Sequence, residues 1–301
     1  MKSAERKKEA VTIMIQGTAS HVGKSAIATA LCRIFARSGY RVAPFKSWNM
    51  ALNSYRLADG GEIGCAQGEQ AEAAGIEATP DMNPLLLKPG ASGKTQLFVR
   101  GRFYGYLGST HQSEEEYLAF CLQIIEESLA RLRQKYEIIV LEGAGSPAEI
   151  NLKERDVANM KAAELASAPV ILVSDLSRGG AMAAAVGTVM LLPATERRRV
   201  AGFIMNKFSG DDSFLLSALK TVEKKTTIPV LGVVPYLQGI NLLEEDEVFA
   251  DLDLGSFSGG QPVAAEQKGA GRFDALADAV EKALDMPALY SLMGLPQGGR
   301  I

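Results

Sequence analysis

The feature that most constrains the fold of this chain is an alternation of short, β-rich apolar runs with longer helical patterns. Such alternation is typical of parallel strands joined by right-handed helical crossovers. The runs at 138–141 and 170–173 are almost entirely apolar, as expected for strands with helices on both faces of the sheet. The pattern predicts a doubly wound α/β domain with a mostly parallel sheet. Its strands are predicted at 11–16, 41–46, 137–142, 169–175, 200–206 and 229–234.

Three segments depart from this alternation and suggest how the chain is divided. The main domain is expected over 1–254, with an insertion at 47–108 that is rich in Gly, Pro and polar residues. Because ligands of open α/β sheets bind beyond the carboxyl ends of the strands, this insertion is a candidate substrate platform, with a surface excursion as the alternative. Residues 255–272 lack apolar periodicity and predict a flexible linker. Residues 273–301 predict a C-terminal acidic amphipathic helix and tail.

The predicted tail helix has one apolar face and one acidic face. At helical spacing, the apolar face carries Phe273, Leu276, Ala277, Val280 and Leu284. The opposite face carries Asp274, Asp278 and Glu281. Anionic lipid would repel the acidic face, so we expect this helix to dock on the protein's own core rather than on a membrane.

Charge and composition exclude several classes of partner. The chain has 301 residues and a formal net charge of −3, and no Lys/Arg cluster follows its first few residues, so a nucleic acid partner is not expected. Its apolar runs are far shorter than the roughly 20 residues of a membrane-spanning helix, and its charged start differs from a signal peptide. We therefore expect a cytoplasmic protein with a small-molecule ligand and no membrane partner.

Three cysteines, Cys32, Cys65 and Cys121, lie far apart, and the chain has two histidines. No C-x-x-C spacing joins the cysteines, which argues against a zinc site or a disulfide framework. We expect them to be buried thiols.

A candidate phosphate site lies in the stretch IMIQGTASHVGKSAIATALCRIF. A strand, a loop from Gly17 to Gly23, and a helix that starts with Lys24 and Ser25 supply the context of a P-loop. In such a loop the amides and the helix N-terminus point at phosphate oxygens, the lysine adds positive charge, and the serine hydroxyl can ligate Mg²⁺. Five residues separate the two glycines where the common P-loop has four, and Thr18 follows the first glycine.

An ATP-bound Mg²⁺ also needs carboxylates near the strand ends. Glu142 closes an apolar strand in EIIVLEGAGS, where the following glycines turn the chain, and it is the strongest second ligand. Asp175 closes the next strand, and Asp59 lies in the Gly-rich ADGGEIG. A metal role remains open for both, and for Asp175 so does organisation of the loop next to it; the alternative for each is a simple helix cap or turn carboxylate. His21, inside the loop, is expected to be an exposed side chain rather than a catalytic base.

Eight motifs, in one order along the chain, carry a resemblance to a known family. They are QGTASHVGKS, PFKSWNMALNS, DGGEIGCAQGEQAEAAG, DMNPLLLKP, EGAGSPAEINL, DVANM, DLSRGG and PVLGVVPYL. Over 11–249 the chain resembles the cobyric acid synthase family of the cobalamin pathway, which belongs to the dethiobiotin-synthetase-like amidoligases. In that superfamily the phosphate loop runs G-T-x-S-x-x-G-K-S, which accounts for the extra residue. The resemblance implies a P-loop NTPase architecture.

The resemblance also implies an ATP-dependent amidation. In the family, a substrate carboxylate attacks the γ-phosphate, an acyl phosphate forms, and ammonia displaces phosphate to leave a carboxamide. The family's substrate is adenosyl-cobyrinic acid a,c-diamide, which is amidated at four peripheral carboxylates. The implied cofactors are ATP and Mg²⁺, and the implied small-molecule partner is the corrinoid.

Residues at matching positions take their roles from this resemblance. The implied catalytic residues are Lys24, Lys46 and Glu142. Lys46 is expected across from Lys24, where it helps to hold the substrate carboxylate and the γ-phosphate together. The implied Mg²⁺ ligands are Ser25, Asp59 and Glu142. Asn206 in IMNKF is similar to the asparagine that reads adenine in the superfamily. The implied corrinoid contacts are Asn49, Asn53, Ser146, Glu149 and Asn151.

One feature of the family has no counterpart in this sequence. Its members normally continue into a glutaminase domain with a nucleophilic cysteine in a Cys-His-Glu arrangement. The cysteines here lie in the P-loop helix, the insertion and another helical pattern, and the histidines are His21 and His111. We therefore expect free ammonia or a separate glutaminase subunit to supply nitrogen. Assembly as a homodimer is left open.

Three rival interpretations are weighed against the amidoligase. A partitioning ATPase of the ParA/MinD type shares the fold, but this sequence has Ala19 where that class has an extra lysine, and its tail helix is not basic. A sister amidoligase that acts on the a and c carboxylates is disfavoured by PFKSWNMALNS and DMNPLLLKP. A degenerate, binding-only protein is disfavoured because every candidate residue of the ATP site is present.

Overall fold

A six-stranded parallel sheet organises the chain. The computed structural model describes residues 9–90, 93–109, 113–210, 212–237 and 270–296. The strands in these ranges are β1 (Val11–Gly17), β2 (Val42–Phe45), β3 (Trp48–Met50), β4 (Ser54–Arg56), β5 (Glu62–Gly64), β6 (Leu85–Pro89), β7 (Thr95–Val99), β8 (Arg102–Tyr106), β9 (Ile138–Glu142), β10 (Val170–Asp175), β11 (Val200–Phe208) and β12 (Val230–Pro235). The α-helices are α1 (Lys24–Arg37), α2 (Cys65–Ala73), α3 (Glu114–Lys135), α4 (Met160–Ala166), α5 (Ala181–Leu191), α6 (Ala194–Arg197), α7 (Asp212–Thr226), α8 (Asp274–Ala283) and α9 (Met286–Leu292).

The strand order of the main sheet is β12-β11-β10-β1-β9-β2, and every neighbouring pair is parallel. These six strands confirm the predicted doubly wound α/β fold and all six predicted strand positions. β1 lies between β9 and β10: β2 and β9 lie on one side of it, and β10, β11 and β12 follow on the other. In such sheets ligands bind at this point of reversal, beyond the carboxyl ends of the strands. The loop that joins β1 to α1 begins there.

Helices cover both faces of this sheet and divide its core in two. Ile13 and Ile15 of β1 point toward α1, α8 and α9, whereas Met14 points toward the side of α3, α4 and α5. All three side chains are fully buried. Because successive side chains of a strand point to opposite faces, β1 contributes to two separate apolar clusters, as expected for a sheet covered on both faces.

The segment at 47–108 is more regular than its composition predicts. It contains a second, four-stranded sheet in the order β3-β6-β7-β8 and a separate hairpin of β4 and β5, in addition to α2. These strands are three to five residues long, too short to show a clear period of two. That the segment lies near a substrate site, and the proposed domain boundaries, stay predictions.

The C-terminal segment forms two helices where the sequence predicts one. Asp285 caps α9 by accepting a hydrogen bond from the amide of Ala288, and a proline occupies the first turn, so the helical pattern is interrupted there. The five apolar side chains of the predicted face are all buried, which confirms docking on the protein's own core. The acidic face meets two arginines of α1: Arg33 pairs with Asp274, and Arg37 pairs with Asp274, Asp278 and Glu281. Most of the predicted linker, 255–269, lies outside the described residues.

Two further predictions can be compared with the structure. Cys32, Cys65 and Cys121 are buried and free, as predicted, and burial raises the pKa of the Cys121 thiol to about 11. Among the described residues, the helices include none that combines the length and apolarity needed to cross a bilayer.

Candidate nucleotide site

The loop between β1 and α1 has the backbone shape of a phosphate cradle. A Cβ atom on Gly17 would lie 2.6 Å from the carbonyl oxygen of Ala19, so only glycine allows the chain to fold back this tightly. Gly23, at the N-terminus of α1, has φ +95°, a left-handed conformation that glycine adopts without strain. Thr18 anchors the start of the loop, because its amide donates to the carbonyl of Val173 at 2.9 Å. The loop ends at the N-terminus of a 14-residue helix, which favours anions.

The side chains of Lys24 and Asn206 hold this loop in place through two of its carbonyl groups. The ammonium of Lys24 is buried and donates to the carbonyl oxygen of Ala19 at 3.1 Å. The amide of Asn206, in β11, donates to the carbonyl of Val22 at 2.9 Å. A Cβ atom on Gly23 would lie 2.1 Å from the Nδ2 atom of Asn206. Asn206 therefore packs directly against the loop, at the position where the sequence predicts a contact with the nucleotide base.

The carboxylate of Glu142 is the centre of the polar network beside the loop. Its Oε1 atom accepts a hydrogen bond from the Ser25 hydroxyl at 2.8 Å and lies 3.1 Å from the Nζ atom of Lys46. Its Oε2 atom accepts a hydrogen bond from the Gln70 amide at 2.6 Å. The four residues come from β9, α1, the end of β2 and α2. The structure thus brings together three of the predicted site residues, Ser25, Lys46 and Glu142.

The turn after Glu142 is held by the motif DVANM. The side chain of Asn159 accepts from the amide of Ala144 at 3.2 Å and donates to its carbonyl at 2.7 Å. Asp156 holds Asn159 in place by accepting from the amides of Asn159 and Met160 at 2.7 and 2.8 Å. Because Gly143 has no Cβ, Asn159 can approach the turn closely; a Cβ there would lie 2.3 Å from its Oδ1 atom. Glycine at position 143 therefore allows Asn159 to pack closely, in addition to allowing the chain to turn after Glu142.

Asp175, at the end of β10, organises its own loop. Its Oδ1 atom accepts from the amide and the hydroxyl of Ser177 at 2.8 and 2.6 Å, and Lys207 lies 3.3 Å from Oδ2. Burial by itself raises the pKa of this carboxyl, but the hydrogen bonds from Ser177 and the charge of Lys207 outweigh it and lower the pKa below its ordinary value. Lys207 also donates to the carbonyl of His21 at 2.5 Å. In the structure Asp175 stabilises the turn at Ser177 and so organises its loop; a role as metal ligand stays a prediction.

The remaining predicted residues are placed less centrally. His21 is half-buried rather than exposed and has φ +59°, because its carbonyl is drawn toward Lys207. Asp59 is exposed; its carboxylate accepts from the amide of Gly61 at 2.9 Å and pairs with Arg102 at 2.9 Å. The structure does not bring Asp59 into contact with Ser25 or Glu142, and its role as a metal ligand stays a prediction.

The five predicted corrinoid contacts differ in exposure. Asn49 and Ser146 are buried, whereas Asn53, Glu149 and Asn151 are exposed. Ser146 accepts from the amide of Ala148 at 3.2 Å, so its hydroxyl stabilises the turn after Glu142. The substrate roles of all five residues stay predictions.

Sequence reasoning missed three residues that the structure places at this site: Gln70, Asn159 and Lys207. Two of them lie in motifs that carry the family resemblance: Gln70 in DGGEIGCAQGEQAEAAG and Asn159 in DVANM. The third, Lys207, is the neighbour of the predicted residue Asn206. The available signal was an uncharged polar or basic residue inside an otherwise apolar or glycine-rich motif. Nothing in the local pattern, however, says which distant group such a residue contacts.

The arrangement fits a nucleotide phosphate and a divalent cation. The cradle at Gly17 and Gly23 leaves no room for side chains, and the buried ammonium groups of Lys24 and Lys46 contact the loop and Glu142, where their positive charge favours a phosphate. The oxygens of Ser25 and Glu142, 2.8 Å apart, are hard ligands of the kind that Mg²⁺ prefers. Among the described residues no three His, Cys, Asp or Glu side chains cluster as a metal cage; Mg²⁺ in nucleotide sites needs only one or two carboxylates, with phosphates and water completing its shell.

Comparison with known proteins also indicates a nucleotide-binding domain. The sequence profile of the CobQ/CobB/MinD/ParA nucleotide-binding domain matches residues 13–248. Cobyric acid synthase of Pelotomaculum thermopropionicum is 57% identical over 241 residues, which are 79% of this chain and 45% of that protein. Cobyric acid synthase of Sorangium cellulosum is 54% identical over 242 residues, 79% of this chain and 46% of that protein. The resemblance that the motifs indicated is confirmed.

The chain spans about half the length of the curated relatives it matches. Among solved structures, it is similar to the signal recognition particle receptor FtsY of Elizabethkingia anophelis in complex with GDP, with a TM-score of 0.44 and 16% identity over 82% of this chain and 62% of that one.

Proposed function

This chain belongs to the CobQ/CobB/MinD/ParA nucleotide-binding family, and from that membership we propose that it is the ATP-dependent amidoligase part of a cobyric acid synthase. The proposed reaction converts peripheral carboxylates of adenosyl-cobyrinic acid a,c-diamide to carboxamides. The identity of 50–57% to cobyric acid synthases of several bacteria supports this substrate over other carboxylic acids.

One observation carries the proposal: the buried carboxylate of Glu142 meets both the P-loop hydroxyl of Ser25 and the ammonium of Lys46. Lys46 directly follows β2, and its ammonium shares the Glu142 carboxylate with the P-loop hydroxyl of Ser25. Its position across the site from Lys24 is part of the proposal. A substrate carboxylate and a γ-phosphate are both anions and repel each other. Two lysines that flank the point where they meet lower this repulsion, and the gain is large where water is excluded.

Ser25 and Glu142 would hold Mg²⁺ on the ATP phosphates, where the ion adds positive charge that stabilises the transferred phosphoryl group. The Ser25 hydroxyl donates a hydrogen bond to Glu142, which holds the two proposed ligands next to each other. Lys24 would bind the β- and γ-phosphates, and Asn206 would contact the base. Thr18 and the glycines of the loop would bind phosphate through the backbone.

In the proposed chemistry, an oxygen of the substrate carboxylate bonds to the γ-phosphorus as the bond from that phosphorus to the bridging oxygen of ADP breaks. The product is an acyl phosphate. Ammonia then adds to its carbonyl carbon, loses a proton, and displaces inorganic phosphate to leave the carboxamide. Free ammonia, or ammonia from a glutaminase, would supply the nitrogen.

The test combines the purified chain with ATP, Mg²⁺, adenosyl-cobyrinic acid a,c-diamide and ammonium chloride, and follows the corrinoid by mass spectrometry together with phosphate release. Ammonium makes the assay independent of any glutaminase. We expect stepwise exchange of OH for NH₂, one phosphate released per exchange, and neither product with Lys24→Met. ATP binding without any change in corrinoid mass would refute the proposed substrate. Phosphate release that depends on protein concentration but not on corrinoid would instead favour a dimeric ATPase switch.

A further inference from the structure

Helix α2 is buried to an unusual degree for a helix with this composition. Of its nine residues, CAQGEQAEA, eight are buried, and these include Gln67, Glu69 and Gln70. A surface helix normally has one apolar face and one polar face, whereas this one carries polar side chains into the interior. Buried polar groups need hydrogen-bond partners, so their contacts show what the helix does there.

The contact of Gln70 is with the central carboxylate of the nucleotide site. Its Nε2 atom lies 2.6 Å from Oε2 of Glu142, and both side chains are almost inaccessible to solvent. The other oxygen, Oε1, faces Ser25 and Lys46. The two oxygens of the carboxylate therefore have separate partners. Because the terminal torsion of a glutamate is soft, the contact of Gln70 with Oε2 adds to the restraint that Ser25 and Lys46 place on Oε1.

The contact with Gln67 supports the orientation in which the Gln70 amide presents its donor end to the carboxylate. The Nε2 atom of Gln67 lies 3.5 Å from Oε1 of Gln70, at the distance of a long hydrogen bond. An amide has a donor end and an acceptor end. With its acceptor end turned to Gln67, Gln70 presents its donor end to Glu142; the reverse orientation would place a carbonyl oxygen against a carboxylate oxygen.

The helix that carries Gln70 is itself held rigidly. Gly68 packs against the ring of Tyr55, where a Cβ atom would lie 2.2 Å from the ring. Arg272 pairs with Glu69 at 3.1 Å and with Glu72 at 2.9 Å, which ties the helix to the C-terminal segment. A donor on a rigid element fixes the geometry of its partner more tightly than one on a loop.

We propose that Gln70 is a positioning residue that holds the Glu142 carboxylate in the orientation that binds Mg²⁺·ATP. The inference rests on the proposed function, because it assumes that Glu142 ligates the ion. In this proposal Gln70 acts through the Glu142 carboxylate and not by direct contact with nucleotide or metal. Its removal should therefore weaken the contribution of Mg²⁺ to nucleotide binding while leaving binding of metal-free ATP nearly unchanged.

The experiment is calorimetric titration of ATP into the full chain, once with excess Mg²⁺ and once with EDTA, for the wild type and for Gln70→Met. Methionine has a similar length and flexibility but no donor. We expect the Mg²⁺ enhancement of ATP affinity to fall about fivefold to tenfold, less than for loss of a direct hydrogen bond to a charged group because Ser25 and Lys46 still contact Oε1 of Glu142. Metal-free affinity should change less than about twofold. Gln123→Met is the matched control, because Gln123 donates to the Glu127 carboxylate at 2.9 Å on the exposed side of α3.

The outcomes separate this inference from the proposed function. A folded Gln70→Met protein with the wild-type Mg²⁺ enhancement would overturn the inference. Gln70→Leu serves if the methionine variant does not fold; it also has no donor for Oε2, so it should lose the enhancement to a similar extent, and an unchanged enhancement would again overturn the inference. If the wild type itself bound ATP with no Mg²⁺ enhancement, the assumed metal site of the proposed function would fail instead.

Discussion

The Nζ atom of Lys46 lies 3.1 Å from Oε1 of Glu142, and the two side chains are only 5% and 1% exposed. The residues are 96 positions apart in sequence, at the ends of the neighbouring strands β2 and β9. A buried pair of this kind contributes little net stability compared with an apolar pair, since both charges lose their hydration. Its presence at the edge of the phosphate loop is therefore better explained by function than by stability.

Breaking this pair from one side should destabilise the protein more than breaking it from both. Lys46→Met leaves the Glu142 charge buried without its ammonium partner, and we expect a loss of about 3–5 kcal/mol in the free energy of unfolding. Adding Glu142→Gln should cost less than the sum of the two single losses, with a coupling of at least about 1 kcal/mol. Urea unfolding of the wild type, both single variants and the double variant measures this. Strictly additive losses would show that the two charges do not interact.

Gly23 should be far less tolerant of a side chain than Gly60. Both have positive φ, +95° and +78°, but a Cβ atom on Gly23 would lie 2.1 Å from Asn206, whereas one on Gly60 would meet nothing within 4 Å. We expect Gly60→Ala to cost about 1–2 kcal/mol of stability from backbone strain alone and to leave nucleotide affinity unchanged. Gly23→Ala should abolish detectable nucleotide binding, because the loop must shift. Calorimetric titration with ATP checks this, and equal affinities in the two variants would contradict the proposed packing of Asn206 on the loop.

Asp175 should make stability depend on pH in the acid range. Its folded pKa lies below the ordinary value, so the unfolded chain takes up a proton first as the pH falls, and the stability from this group is lost below about pH 4. Asp175→Asn should lower the free energy of unfolding by about 1–3 kcal/mol near pH 6, because it removes hydrogen bonds to a charged group. The difference from the wild type should shrink between about pH 4 and pH 2. Urea unfolding of both proteins between pH 6 and about pH 2 tests this prediction. A difference in unfolding free energy that stays constant with pH would mean that the carboxylate charge does not cause the loss of stability.

The docking of α8 should depend on its apolar face and not on its ion pairs. Leu276 is 3% exposed against the α1 side of the core, so Leu276→Ala should cost about 2–5 kcal/mol in unfolding free energy. Asp278 is 66% exposed although it pairs with Arg37, so Asp278→Asn should cost less than about 1 kcal/mol. Thermal and urea unfolding of both variants decide this. A larger loss for Asp278→Asn would show that the acidic face holds the helix.

Much of the fold could be predicted because its signals are local. The strands that end at Gln16 and Glu142 in the sequence patterns appear in the structure within one residue of the predicted positions. Consecutive apolar residues form a strand buried on both faces whatever lies elsewhere in the chain. The strands of 47–108 were not predicted, because runs of three to five residues carry too few side chains to establish a period. The break between α8 and α9 was also missed, although Pro287 and Asp285 are local signals for it.

Local sequence patterns establish the doubly wound α/β class, the phosphate loop and Lys24, Ser25 and Glu142 as candidate site residues. The patterns are the apolar runs, the glycine spacing and the position of a carboxylate at a strand end. Three contacts emerge from the folded chain alone: Gln70 holds Glu142, Lys207 holds the carbonyl of His21, and Asp59 pairs with Arg102 instead of joining the network. The first two of these contacts join residues 72 and 186 positions apart. Such contacts depend on how strands and helices are arranged in space, which no local pattern encodes.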